Sequence, residues 1–265
     1  MCPLCPTPLP PGPKKLVDEG IRRYMMIDRM VERGNASWLS LPASAQQELD
    51  LAVADWQVAA DEENPQAQLT MGLMYEEGRG VEQSDEKALR WYKLAAEQGS
   101  AEAQLNLCFF IDEGRAIAQS HKEAARWYKK AADQGNIEAQ YNLGVCHRNG
   151  TGVMKSDKEA FRWWKKAADQ GDEKAMSCVG DMYDHGCGVA QSNKEAFRWF
   201  KKSAELGFAN SQFNIAQQYG EGEGIANSHE KAVQWYAKAA AQGHVEAQHN
   251  LGLAYKVGRG IEGYG

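Results

Sequence analysis

From residue 64 onward the chain repeats one pattern of apolar and polar positions, read clearly in residues 136–171: NIEAQYNLGVCHRNG, then TGVMKS, then DKEAFRWWKKAADQG. The first and third segments carry apolar residues at helical spacing, and the glycines between and after them punctuate the two helices. In the second helix Ala88, Trp91 and Ala95, with their equivalents, follow i, i+3, i+7 spacing and are expected to form its buried stripe. The first helix keeps one small residue at Ala67, Ala103, Ala139, Ala175, Ser211 and Ala247, and another at Gly72, Gly144, Gly180, Ala216 and Gly252. Glycine inside a helix costs about 1 kcal/mol relative to alanine, so its return at one register predicts close helix packing there. Between the helices, Gly78, Gly114, Gly150, Gly186, Gly222 and Gly258 suit a left-handed turn. An aliphatic residue follows (Val81, Ile117, Val153, Val189, Ile225, Ile261), and then Ser84, Ser120, Ser156, Ser192 and Ser228 are placed to cap the second helix.

The long period is strict. Trp91, Trp127, Trp163, Trp199 and Trp235 are 36 residues apart, as are Gly99, Gly135, Gly171, Gly207 and Gly243. One helix pair cannot cover its own apolar face, so such units must stack. The expected fold is all-α: an α-α superhelix, a solenoid of antiparallel helix pairs with a concave and a convex surface and a tryptophan ladder through the stack. The expected organisation is a proline-rich tail over 1–13, a helical cap with a degenerate repeat over 14–63, five repeats over 64–243 and a truncated sixth over 244–265. Ala59, Ala60 and Asp61 fall one period before Ala95, Ala96 and Glu97, which is why 43–63 reads as the second helix of a degenerate unit, with Trp56 shifted by one to match Tyr92. Leu251, Leu253 and Tyr255 are expected to lack the second helix that would shield them.

The motif A-x-A-Q-x-x-L-G-x-x-Y-x-x-G-x-G-V followed by K-A-x-x-W-Y-x-K-A-A-x-Q-G resembles the Sel-one-like repeat, a relative of the tetratricopeptide repeat, over residues 64–265. The second unit departs from it at Cys108 and Ile111, and the fourth at Met176, Ser177 and Cys178. The resemblance implies a protein-interaction scaffold or adaptor, and implies that an asparagine on the first helix grips the backbone of a bound peptide.

Charge and composition narrow the partner. A formal charge of -6 argues against general nucleic-acid binding, which rests on clustered Lys and Arg. No apolar run approaches a bilayer span, and no basic-then-apolar leader opens the chain. Six cysteines without common spacing do not make a disulfide framework, so an intracellular, cytoplasmic setting is expected. Cys2-Pro3-Leu4-Cys5 before Leu9-Pro10 resembles the last ligand pair of a RING-type zinc finger. The segment reads as a truncated remnant of such a finger, as a proline-rich tail with two incidental cysteines, or as half of a site completed by another chain. No stable zinc is expected in this chain. The remnant reading carries an alternative function, the substrate-recognition part of a RING-type ubiquitin ligase.

No constellation of nucleophile, base or paired carboxylates stands out, so no catalysis and no cofactor are expected. His121 and His229 sit at the start of second helices and His147 replaces a first-helix tyrosine; surface or packed neutral imidazoles account for them. Rows of basic residues mark the second helices of units two to four: Lys122, Arg126, Lys129 and Lys130, then Lys158, Arg162, Lys165 and Lys166, then Lys194, Arg198, Lys201 and Lys202. They read as a solvated face balanced by Asp133, Asp169 and Glu205, or as a surface for an acidic partner. The binding candidate is the row Asn106, Asn142, Asn214 and Asn250, one per first helix, on the expected concave surface. An amide offers donor and acceptor together and can hold an extended peptide, or it can serve interhelix hydrogen bonds. Phe109, Phe110, Met182, Gln217 and Gln218 are the neighbouring variable positions expected to set specificity.

Overall fold

The structure, a computed structural model, describes residues 12–38, 40–222 and 225–257. Among them are thirteen helices: α1 (Pro13–Glu32), α2 (Ala43–Asp61), α3 (Pro65–Glu77), α4 (Asp85–Glu97), α5 (Ala101–Glu113), α6 (His121–Asp133), α7 (Ile137–Asn149), α8 (Asp157–Asp169), α9 (Glu173–His185), α10 (Asn193–Glu205), α11 (Ala209–Glu221), α12 (His229–Ala241) and α13 (Val245–Lys256). The chain forms two compact units, Met1–Gln134 and Gly135–Gly265. In each, consecutive antiparallel helix pairs pack one on the next, the solenoid arrangement that the repeat requires.

Both ends of a helix pair are written in the sequence. The hydroxyls of Ser84, Ser120, Ser156, Ser192 and Ser228 accept hydrogen bonds from the backbone N–H three residues on, capping α4, α6, α8, α10 and α12. The first helices have caps of their own, on Asn64, Ser100, Asn136, Asp172 and His244. Gly78, Gly114, Gly150, Gly186 and Gly222 end the first helices with φ between 68° and 78°, the left-handed region. Ala116 holds φ 55° where other units have glycine. Of the turn positions read from the sequence, Gly258 and Ile261 lie outside the described residues.

The tryptophan ladder requires a correction. Trp163 and Trp199 are buried as expected, but Trp91, Trp127 and Trp235 are only partly buried, whereas the next residue in four units, Tyr92, Tyr128, Trp164 or Phe200, is buried. That neighbour is the aromatic seated on the small residue of the first helix. A Cβ added at Gly72 would stand 2.5 Å from the Tyr92 ring, at Gly144 2.5 Å from Trp164, and at Gly180 2.6 Å from Phe200. Close approach explains the recurrent glycine. The ladder tryptophans instead lie under lysines: the Nζ of Lys130, Lys166, Lys202 and Lys238 stand 3.6, 4.0, 4.4 and 4.0 Å from the ring centres of Trp127, Trp163, Trp199 and Trp235.

In the first unit α1 and α2 extend the same packing. Trp56 on α2 is buried against Gly20 on α1, and Leu16, Val17, Ala52 and Ala60 share its core with Ala67, Met71 and Met74 of α3. A glutamine relay ties successive elements: Gln98 Nε2 donates to Gln68 Oε1 (2.8 Å), and Gln68 Nε2 to the Ala60 carbonyl (3.2 Å). Gln134–Gln104 repeats this in the first unit, and Gln170–Gln140 and Gln242–Gln212 in the second. In the fourth repeat both partners change together, to Met176 and Leu206.

Candidate functional site

The asparagine row occupies one register of α5, α7, α11 and α13, and all four side chains are half-buried. Asn214 donates through Nδ2 to Asp181 Oδ1 at 3.4 Å, and Asn250 through Nδ2 to the Tyr236 hydroxyl at 3.3 Å. Two of the four therefore make interhelix contacts. Both also line cavities: Asn214 one of about 220 Å³ between α9 and α11, and Asn250 one of about 430 Å³ with Tyr236, Leu253 and Val257.

The variable positions divide by burial. Phe110 is core, its ring 5.5 Å from Tyr92 with Arg115 stacked 4.1 Å above it, and Met182 is buried among Trp164, Val179 and Trp199. Phe109, half-buried, meets Tyr128 edge-on at 6.0 Å. Gln217 and Gln218 line the 220 Å³ cavity.

The chemistry of the second unit gathers on α9 and α11. Asp181, Asp184, Gln218 and Glu221 line the 220 Å³ cavity, and Asp181 also borders a neighbouring one of about 270 Å³ with Arg148, Trp164, Cys178 and Cys187. Gln218 Nε2 donates to Asp184 Oδ1 at 3.3 Å. Asp181 is exposed as a residue, and partial desolvation of its carboxyl beside the cavity pushes it up to about 6; His185 opposes this, Asp184 adds to it and Arg148 opposes it. Burial pushes the Cys178 thiol up to about 12, which leaves it protonated and a poor nucleophile near neutral pH. Arg148 is drawn to Asp157, Nη1 to Oδ1 2.8 Å.

Asp181 and Asp184 were not marked by the sequence reading, yet Asp181 carried a signal. Its register holds Leu73, Phe109, Val145, Gln217 and Leu253 in the other repeats, so an aspartate there is a departure.

Each basic row is tied down in part on its own helix. Lys129 pairs with Asp133 (2.7 Å), Lys165 with Asp169 (2.5 Å) and Lys201 with Glu205 (3.8 Å). His121 Nδ1 is 2.7 Å from Asp112, and His147 Nδ1 is 3.4 Å from the Met154 carbonyl. Among the described residues no group of three or more His, Cys, Asp or Glu is placed to hold a metal ion. Cys2 and Cys5, and with them the RING-type reading, lie outside the described residues. No helix among the described residues is long and apolar enough to cross a membrane.

Comparison with known proteins places this architecture. The Sel1 repeat pattern matches residues 65–100, 101–136, 137–172, 174–208, 209–244 and 245–263. The crystal structure of a Sel1 repeat protein from Oxalobacter formigenes is similar at 32% identity and a TM-score of 0.74, over 91% of this chain and 92% of that one. The protective antigen c5321 of uropathogenic Escherichia coli, which displays the same repeat fold, is similar at 29% identity and a TM-score of 0.77, over 95% of this chain and 57% of that one. An immunity protein from Pseudomonas aeruginosa, PA5088, shares the fold at 16% identity and a TM-score of 0.51, over 92% of this chain and 89% of that one. No curated protein matches the chain at a significant level. Six matched repeats and the helix pairs they build lead to one conclusion: the chain belongs to the Sel1 repeat family.

Proposed function

We propose that the chain is a protein-interaction scaffold that receives a peptide or protein along the face of its first helices, with Asn106, Asn142, Asn214 and Asn250 as the recurrent contacts. Family membership supports the scaffold role, since Sel1 repeats generally serve that purpose. The observation that carries the finer reading is the placement of Asn214 and Asn250 on two cavities of the same face, their amides half-buried beside open volume. A half-buried amide with solvent on one side can exchange water for the backbone of an extended chain without leaving a polar group unpaired. The basic rows on the second helices support the surface less well, because three of their lysines already have carboxylate partners and three others cover tryptophans. No observation among the described residues favours the ligase reading.

The test is affinity capture from cell lysate with wild type beside the triple variant Asn106→Ala/Asn142→Ala/Asn214→Ala, after circular dichroism has shown equal helicity. Partners held by wild type and lost by the triple variant support the reading. Identical captures would assign the asparagines to interhelix bonding and overturn it.

A further inference from the structure

We propose that the cavity between α9 and α11 is the seat of an arginine side chain presented by the partner. The inference rests on the scaffold reading and names the chemistry recognised by one part of that surface.

Gln218 carries the argument. It is 4% exposed, it lines the cavity, and its Oε1 has no hydrogen-bond partner. The same register holds Met74, Phe110, Cys146, Met182 and Ala254 in the other repeats, so a buried amide here is a departure from an apolar position. Buried polar groups are normally paired, and an unpaired acceptor buried in the wall of a cavity points to a donor that arrives from outside. The neighbours fix which end of the amide is free. Carboxylates only accept, so the Gln218 and Asn214 amides must turn their N–H groups to Asp184 and Asp181, at 3.3 and 3.4 Å. The oxygen of Gln218 is thereby left unpaired, buried in the cavity wall.

The charged carboxylates of the remaining lining, which also holds His185, Phe200 and Gln217, have the same polarity. Asp181, Asp184 and Glu221 contribute carboxylates, all of them acceptors. The nearby basic side chains already have acceptors: Arg148 pairs with Asp157, and His185 donates through Nδ1 to the Asp181 backbone carbonyl at 2.9 Å, with Asp184 Oδ2 3.9 Å away. A ligand for several diverging acceptors must be cationic and carry several donors. No described group of ligands is placed for a metal ion, and a volume of about 220 Å³ holds little more than the end of one side chain. A guanidinium meets these conditions, since its five N–H donors lie in one plane and spread over more than one acceptor, with charge-assisted bonds to the carboxylates.

The experiment is an NMR titration of the ¹⁵N-labelled full chain with N-acetylarginine amide, and with N-acetylcitrulline amide as the uncharged isostere. The expected result is saturable shifts in the backbone amides of α9 and α11 and in the Gln218 side-chain amide with arginine only. Asp184→Asn should weaken binding by about tenfold, the effect of removing one facing charge. Gln218→Met, which restores the residue type found at Met182, should abolish saturation while leaving the chain folded. Equal shifts with citrulline, an unchanged affinity in Asp184→Asn, or no saturable shift would overturn the proposal. If the arginine probe fails while partner capture still depends on the three asparagines, the arginine seat alone is lost. If both fail, the scaffold reading falls with it.

Discussion

At the scale of single residues, the packing of each repeat turns on a glycine and the aromatic set against it. Gly144 is filled to contact by Trp164, so Gly144→Val forces a steric shift and is expected to cost about 1–3 kcal/mol in urea unfolding, the usual range for overpacking. Gly252 is the internal control, because a Cβ there meets nothing within 4 Å. Gly252→Ala should be neutral or stabilise by up to about 1 kcal/mol through helix propensity. Equal losses at both positions would contradict the packing account. Sequence alone located the glycines but did not say which aromatic meets them. Trp163 and Trp164 are both large and apolar, and they differ by a single step around the helix, so periodicity could not say which faces the glycine. The lysine three residues after four of the five ladder tryptophans, now seen lying over the ring, was the clue.

Asp181 gives a second prediction at this scale. Its carboxyl titrates at about 6 in the folded chain, above the value near 4 usual for an unfolded aspartate. The folded state therefore binds that proton more tightly. Its contribution to stability is complete below about pH 4 and is lost as the pH rises through about 6. The stability difference between wild type and Asp181→Asn should change across that window and stay flat above it, read by urea unfolding as a function of pH. His185, Asp184 and Arg148 act on the same carboxyl and are present in both proteins, so the difference isolates Asp181. A difference that is flat from pH 4 to 7 would contradict the raised carboxyl.

Between elements, paired substitutions preserve each joint. Ser203 on α10 and Ser211 on α11 replace the alanine pairs Ala95/Ala103, Ala131/Ala139, Ala167/Ala175 and Ala239/Ala247. Both hydroxyls are fully buried and form a chain, Ser211 Oγ to Ser203 Oγ at 2.7 Å and Ser203 Oγ to the Glu173 carbonyl at 2.6 Å. Ser203→Ala leaves the Ser211 hydroxyl buried and unpaired and should cost about 1–3 kcal/mol. The double variant Ser203→Ala/Ser211→Ala recreates the pair found in the other repeats and should return close to wild type. A double variant as unstable as the sum of the singles would show that the hydroxyls do not act together. The fourth repeat follows the same logic at another joint, where Met176 and Leu206 stand in place of the two glutamines of the relay. Such joints were visible as isolated departures in the sequence; that they are pairs depends on contacts about 8 or 30 residues apart, which only the fold brings together.

For the molecule as a whole, the sequence was unusually legible because the repeat has no insertions. Each glycine and serine kept its register, so helix pairs, turns and second-helix caps could be placed before any coordinates. The site was less legible. The asparagine row stood out as a repeated feature, and Gln217 and Gln218 as variable ones, but the carboxylates that face them come from α9 and join the site only when α11 stacks on it. Repetition reveals a scaffold, whereas recognition resides in the residues that depart from it. The most direct measurement is hydrogen–deuterium exchange of the full chain with and without a partner recovered by affinity capture. The account predicts added protection in the first helices, α9 and α11 above all, with the second helices α8 and α10 unchanged. Protection confined to α8 and α10, on the basic rows, would contradict it.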